Sequence, residues 1–523
     1  MKKWWLIMVA LMIVLAGCSG TGTGSTGGSG GTGGASGTSG TGGTKDGPGP
    51  AKDALVVGQD IDAGTLDPQK QGKMPDMNIL INIFDTLVTR DADNKLAPAL
   101  ATEWKAIDDT TWQFKLREGV KFQDGEPFNA DVVKYSIDRL KNPETKSPIV
   151  ELNSVKEVKV VDPTTVNIIT DGPDPILPNK LTLFGGVMVP PNYIKEKGDD
   201  NFAKNPVGTG PFKFVSWQKD NKVVMDANPD YWRGAPKVKH LTFKIIPNAA
   251  DMVAALKTGE IDIAAAGVTA DVADQLKGSP DIDVVGSPWI RTFYVSLDAQ
   301  NGPLAKKEVR QALNYAVDVK TMIDTVLGGH ASRVSTLIPK QNFGYDASVA
   351  PYEYNPDKAK QLLAQAGYPQ GFTIQFDAGN QDSNIVQIIS DMLGKVGVKV
   401  QANLVDSKTL SANIAAKKVA PLYYIGNTGW TMDAMSNFQS YIKSDRRYNR
   451  WKNDEADKLV DIEEKSLDPK QRQEAFTKLQ QLLKEEAPFI YLYQLDNLYG
   501  MRKNVQWKPN PIGVLSMYNA SFK

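Results

Sequence analysis

Cysteine is almost absent from this chain: Cys18 is the only one among 523 residues. A single thiol allows no internal disulfide, and none remains downstream for a cysteine-held metal site or a cysteine nucleophile. Histidine is nearly as scarce, with only His240 and His330. Two isolated imidazoles without a cysteine cluster exclude the usual zinc centres and the hydrolases that need a histidine base. Net charge is lacking as well. The 60 Lys and Arg balance the 60 Asp and Glu, so no overall field draws the chain to nucleic acid. Long apolar runs are also missing: the stretch at residues 4–14 is about half of the roughly 20 residues that span a bilayer.

The N-terminal pattern is more specific. Met1, Lys2 and Lys3 give a charged beginning, the apolar stretch follows, and Leu15-Ala16-Gly17-Cys18 supplies small residues for cleavage, the three parts of an export signal. The last four residues resemble the bacterial lipobox, in which the cysteine receives a diacylglyceryl group and becomes the new N-terminus. The expectation is a protein anchored through Cys18 on the extracytoplasmic face of the bacterial cell membrane, where two or more acyl chains hold far better than one. Residues 19–50 are almost wholly Gly, Ser and Thr. Such a stretch buries no apolar surface and acts as a flexible tether with a reach of about 30 Å.

The remainder exceeds one typical domain and shows no repeat period, so two or three lobes are expected. Residues 75–88 have helical spacing at Ile79, Leu80, Ile83, Phe84 and Leu87, while 111–116 alternate as a half-buried strand. Asn129 predicts an N-cap for a helix through Val132, Ile137 and Leu140. A hairpin is expected at 158–169 around Asp162-Pro163, and helices at 249–257, stopped by Gly259, and at 308–326. From about Tyr352 helix alternates with strand: a helix from Asn355-Pro356 to Gly367, strand 372–377, helix 383–396, strands 398–405 and 421–425. This alternation predicts βαβ units around a mainly parallel sheet. Asp468-Pro469-Lys470-Gln471 reads as a capping-box helix start.

Four stretches have a recognisable order. They are LATEW at 100–104 with WQFKLREGVKF at 112–122 and FNADV at 128–132; VGTGPF at 207–212 with NPDYWRGAP at 228–236; VRQALNYAVD at 309–318; and YNPDKAKQLL at 354–363. Together they resemble the peptide-type (oligopeptide/dipeptide/nickel) solute-binding proteins of ABC importers, family 5. The resemblance implies an α/β, bilobal periplasmic-binding-protein fold of type II with an additional domain inserted in the first lobe. On that reading 51–85, 185–290 and 495–523 form lobe I, 86–184 the inserted domain and 291–494 lobe II, with hinge crossings near 288–291 and 494–497. It implies a monomeric receptor without cofactor or enzyme activity, which captures a small solute, foremost an oligopeptide, and delivers it to ABC permease subunits with cytoplasmic ATPases.

Site residues follow from the same resemblance. In peptide-binding relatives a tryptophan followed three residues later by an aspartate lines the cleft, and the aspartate receives the ligand's α-ammonium. Here these are Trp430 and Asp433, with Thr431 and Met432 between them. A carboxylate in a closed, poorly hydrated cleft needs a cationic partner, and such a hydrogen bond contributes about 1.5–3 kcal/mol; alternatively, Asp433 caps the helical stretch that follows. Trp430 is a flat pocket wall or ordinary core. Tyr294 resembles cleft-facing aromatics of the family. Asp85 stands where relatives often carry a glutamate, either in the pocket or exposed on a helix. From Tyr424 to Thr428 the backbone can pair with an extended ligand as an added strand. The chain departs from the family where Ala434-Met435-Ser436 replaces a second Asp and a Pro, and where the loop 378–382 lacks the arginine that dipeptide-type members keep for a ligand carboxylate. Arg291, Arg333, Arg446, Arg447 and Arg450 are candidate substitutes, and no motif chooses among them.

Other readings are weaker. Gly208-Thr209-Gly210 is not a phosphate loop, because Pro211 to Phe214 enter a strand instead of continuing Gly-Lys-Ser/Thr into a helix. Glu463-Glu464 and Glu485-Glu486 sit beside lysines and read as solvated faces. No nucleophile, base and oxyanion site assemble for an exported hydrolase. The ligand stays open between a peptide, an opine-like conjugate, a sugar and a chelated metal, and the role between import and presentation of a peptide or pheromone to a sensor.

Overall fold

Runs of large apolar side chains give the chain its two longest strands, Ile282–Leu297 and Phe489–Arg502, and the remaining elements are arranged on them. The computed structural model describes residues 52–91 and 93–523; the expected export signal, the lipidation site Cys18 and the tether at 19–50 lie outside them. The two strands pair antiparallel from Ile282↔Arg502 to Ser296↔Phe489. Between 292 and 297 both faces are covered: Phe293, Val295 and Leu297 enter one apolar cluster and Tyr294 another. A strand buried on both faces reads as continuously apolar instead of alternating.

Eleven strands join one sheet. Across it they run Val398–Val405, Phe372–Gly379, Leu422–Thr428, the long pair, Ile263–Ala264, Ala54–Gln59, His240–Ile245, Lys222–Ala227 and Phe212–Gln218, with Ala331–Arg333 added to Phe489–Arg502. Phe372–Gly379 is parallel to both neighbours, and so is Ala54–Gln59. The long pair and the 212–227 hairpin are antiparallel. The expectation of a mainly parallel sheet is thus corrected to two parallel groups joined through an antiparallel centre. Parallel neighbours need crossover connections, whereas a chain returning between the two groups does so as an antiparallel partner.

The ladder of the long pair has its widest irregularity between Pro288 and Thr292. Residues 289–291 there face only Leu495, which pairs instead with Ala331. Ile290 donates its N–H to the Pro511 carbonyl at 3.0 Å, and the Gln494 amide donates to the Trp289 carbonyl.

Between Ala54–Gln59 and Phe212–Gln218 the chain builds a separate antiparallel sheet, ordered Ala101–Asp108, Thr111–Leu116, Thr165–Thr170, Val155–Asp162. Helix Ala130–Lys141 packs on it, capped by Asn129, whose Oδ1 accepts from the Val132 N–H at 3.1 Å. Phe114, Val133, Val158 and Ile168 share one core with Leu55, Val57 and Phe243 of the large sheet.

Two helices differ from their apolar spacing. Met74–Leu80 stops short because residues 82–85 turn against the 207–212 loop: Gly210 donates to the Ile83 carbonyl and Phe212 to the Asn82 carbonyl, each at 2.9 Å. The helix expected over 308–326 is two, Lys307–Ala316 and Val319–Val326, since Asp318 caps the second through the Thr321 N–H at 3.0 Å.

Gly208 and Gly210 permit this backbone approach, because an added Cβ would stand 2.1 and 2.6 Å from the Ile83 carbonyl oxygen. Gly208→Ala is expected to lower stability by about 1–3 kcal/mol or more, seen as a lower urea midpoint at unchanged m. A variant as stable as the parent would contradict the packing.

Candidate functional site

In open α/β sheets, ligands are held outside the carboxyl ends of the parallel strands. Here Phe372–Gly379 and Val398–Val405 end together, and Leu422–Thr428, registered on the first by Phe376↔Leu422, runs on past them, so this edge carries residues 380–382, Asp406 and the loop 429–433. Ile282–Leu297 crosses it in the opposite direction and adds Arg291, paired with Thr428.

The 429–433 loop is tightly built. A Cβ on Gly429 would lie 2.4 Å from Asn437 Oδ1 and 2.5 Å from Asn342 Nδ2. Met432 takes a left-handed backbone with φ 57°, and its N–H donates to the Gly429 carbonyl at 2.9 Å. Phe343 donates to the Met432 carbonyl, and Ala434 to the Phe343 carbonyl. The side chains then divide. Met432 joins the core that contains Leu55 and Phe243, and half-buried Trp430 packs beside it, edge-on to Phe184 at 5.7 Å. The Thr431 carbonyl accepts from Arg90 and from Asn179 Nδ2, the latter at 2.9 Å. Burial brings the Arg90 guanidinium down to about 10 against the pull of Asp433 and Asp91. Residues 430–432 thus form a seam from this strand group to Arg90, Asn179 and Phe184 and to the core that contains Leu55.

Asp433 turns away from that seam. It is 2% exposed, and Arg472 donates to its Oδ1 and Oδ2 at 2.6 and 3.0 Å. Oδ1 also accepts from the Met435 N–H at 3.0 Å, the bond of a cap. The expectation of a carboxylate lacking a cation is corrected: the chain supplies one from helix Pro469–Glu486, where Arg472 shares the buried face with Phe476, Leu479 and Leu483. Glu463 completes the cluster. It is fully buried, neither carboxyl oxygen has a partner, and Arg472 Nε donates to its backbone carbonyl at 3.0 Å. Burial pushes its carboxyl well above the usual range, with Arg472 opposing and Asp433 reinforcing the shift. Its reading as a solvated face is corrected, since it continues the buried stripe of Ala456, Leu459 and Val460.

Tyr294 is 1% exposed and lies between the Tyr441 and Phe489 rings; it is core and not cleft-facing, because helices cover both faces of its strand. The Tyr424 side chain is likewise internal, its hydroxyl 2.7 Å from that of Tyr493 and its ring stacked on Phe293. Asp85 is neither on a helix nor exposed. It accepts from Thr209, Tyr231 and Trp232 at 2.9, 2.8 and 2.8 Å and ties the 207–212 and 228–236 loops together. Burial still raises its pKa despite these bonds.

The backbone of 424–428 is different. Leu422–Thr428 is paired throughout with 291–297, but its ladder to Phe372–Gly379 has only two registered pairs, Phe376↔Leu422 and Asp377↔Tyr423. Among the described residues, the strand from Tyr424 to Thr428 has a hydrogen-bonded neighbour on one side alone. Three cavities of 270, 550 and 490 Å³ are lined by other residues. Among the described residues no cluster of three or more His, Cys, Asp or Glu is placed to hold a metal ion, and no helix is long and apolar enough to cross a membrane.

A mixed sheet in two halves, joined by two crossing strands and meeting along a loop at its carboxyl edge, defines a bilobal receptor of the type II periplasmic-binding class. A family model described as "Bacterial extracellular solute-binding proteins, family 5 Middle" matches residues 95–449, and the chain belongs to that family. The glutathione-binding protein GsiB of Pectobacterium atrosepticum is 30% identical over 459 residues, covering 84% of this chain and 88% of GsiB. HbpA2 from Haemophilus parasuis superposes with a TM-score of 0.83 at 26% identity, over 90% of this chain and 100% of HbpA2. The ABC transporter-associated protein DppA from Helicobacter pylori, in complex with the peptide STSA, gives 0.72 at 25% identity, over 90% and 98%. The chain is thus a solute-binding protein of the class that serves ABC importers, and its relatives are extracytoplasmic binding proteins, not enzymes.

Arg472→Met strands the Asp433 carboxylate in the core and is expected to cost about 3–5 kcal/mol, with much of the loss recovered when Asp433→Asn is added; additive single and double losses in denaturant titrations would contradict the pairing. Glu463 holds its proton more tightly folded than unfolded, so its contribution to stability is full below the ordinary glutamate pKa and is lost as pH rises from there. Glu463→Gln is expected to flatten this fall between pH 5 and 8 in thermal unfolding; an unchanged pH dependence would show that Glu463 is already ionised.

Proposed function

We propose that the chain captures a short peptide in extended form along residues 424–428 and passes it to the permease of an ABC importer. The observation that carries this is the strand edge described above, five residues paired on one side at the carboxyl end of a sheet. A peptide added to such an edge is recognised through its main chain, so many side chains are tolerated and water fills the space they leave. The relatives agree in chemistry: GsiB is named for glutathione, a tripeptide, and DppA holds the peptide STSA.

In this reading Trp430, Thr431 and Met432 form the wall where the lobes meet, and closure is a rotation at 289–291 and 494–496, where few residues absorb the backbone change. Asp433 contributes from behind that wall, where its ion pair with Arg472 holds the loop 429–433 in place. In the same reading Cys18 and the tether at 19–50 hold the receptor on the extracytoplasmic face of the cell membrane.

Calorimetry with a tetrapeptide and its backbone N-methylated analogues tests the main-chain reading. Each lost hydrogen bond is worth about 0.5–1.5 kcal/mol, so methylation at a pairing amide is expected to weaken binding about two- to twelvefold. Equal affinities, or no binding by any peptide tried, overturn the proposal. Cys18→Ser is expected to shift the exported protein from the membrane to the soluble fraction, and continued membrane retention overturns the anchor.

A further inference from the structure

A guanidinium buried without an anion is unfavourable, and its position marks where a negative group is to be expected. The five arginines left undecided by the sequence are separated by their surroundings. Arg333 pairs with Glu353, Arg446 with Glu464 and Arg450 with Asp298, at 3.2, 3.0 and 3.0 Å. Arg447 is exposed beside the Tyr448 ring. Arg291 is half-buried like Arg333, Arg446 and Arg450, and its buried, unpartnered Nε is shared with Arg333 and Arg446. It differs in that, among the described residues, no other atom of its guanidinium makes an ion pair or a hydrogen bond either.

Aromatic rings hold it instead. Trp289 and Phe293, two positions to either side, lie 5.4 and 4.8 Å from the guanidinium carbon, as the twofold repeat of a strand places them. Rings orient a guanidinium and keep water off it without neutralising its charge. Gly426, the ladder partner of Phe293, makes room beside it: a Cβ there would stand 2.4 Å from Arg291 Nε. The cation therefore rests on the backbone of the strand whose other edge is open. Asp382, at the end of the 378–382 loop, has its pKa raised by burial, and the charge of Arg291 opposes that rise. Its own bond comes from Gln381 Nε2 at 2.8 Å, and it forms no ion pair with Arg291.

We infer that Arg291 is the anion anchor of the cleft, receiving the α-carboxylate of a peptide that lies along residues 424–428. It takes over the role of the arginine missing from the 378–382 loop, and the forked guanidinium suits a carboxylate through two parallel bonds. The inference rests on the peptide reading above.

Its test is calorimetry with one tetrapeptide sequence in two forms, free C-terminal acid and C-terminal amide. The parent is expected to prefer the acid by about ten- to a hundredfold. Arg291→Gln is expected to bind both forms as the parent binds the amide, and Arg291→Lys to keep part of the preference, because an ammonium retains the charge and loses the fork. Equal affinity of the parent for the two forms, or an acid preference undiminished in Arg291→Gln, overturns the anchor and leaves the peptide reading standing. Failure of the parent to bind either form overturns both. Asp382→Asn keeps Arg291 and removes the opposing charge, which makes the test independent of how well the arginine variants fold. Its acid preference is expected to rise severalfold, and an unchanged or reduced preference counts against the anchor.

Discussion

One hydrogen-bonded ladder constrains everything else in this molecule. The strands Ile282–Leu297 and Phe489–Arg502, each about 50 Å long at 3.3 Å per residue, belong to both halves of the sheet at once. The halves cannot drift apart, since they share backbone. Their shared ladder is interrupted most widely at 289–291 against Leu495, and a ribbon with missing rungs bends most easily there. Ile290, Trp289 and Gln494 are nonetheless tied by backbone and side-chain bonds to 511 and to each other, so the interruption is a defined joint and not a loose linker.

Two arginines illustrate how charge is distributed around that joint. Arg472 is buried, met by both oxygens of Asp433, and roofed by Phe343 and Phe476. Its charge is cancelled inside the protein, which fixes the loop 429–433 in place, while burial pushes the neighbouring Glu463 carboxyl well above the usual range. Arg291 has similar aromatic company and no carboxylate. The first arrangement builds a wall; the second leaves the protein's electrostatic complement to come from outside.

Much of the architecture could be read from the letters. The caps at Asn129 and Asp468, the stop at Gly259 and the helix–strand alternation after Tyr352 are local chemistry and appear as such in the structure. What failed was of longer range. Apolar spacing continued past Leu80 and through Val317, but the Asn82 and Ile83 carbonyls are claimed by a loop more than a hundred residues away, and Asp318 restarts a helix. In the candidate site, the Trp430 to Asp433 spacing picked out the right loop and not the environment of its acid, because Arg472 stands 39 residues further on. A signal was present: Arg472 and Glu463 each occupy an apolar stripe, where a charge is costly unless paired or neutral. Tyr294 was misplaced for the opposite reason, since a strand covered on both faces gives no alternation to tell cleft from core.

The five residues from Tyr424 to Thr428 carry one more implication. A row of main-chain donors and acceptors left without a sheet neighbour is indifferent to whose backbone answers it, and a second molecule of the same protein is as acceptable as any guest. Shortness is the natural defence, because a contact this brief gives another chain too little length to hold on to. On the proposed peptide reading, the same shortness limits how much of a guest's main chain can pair at once.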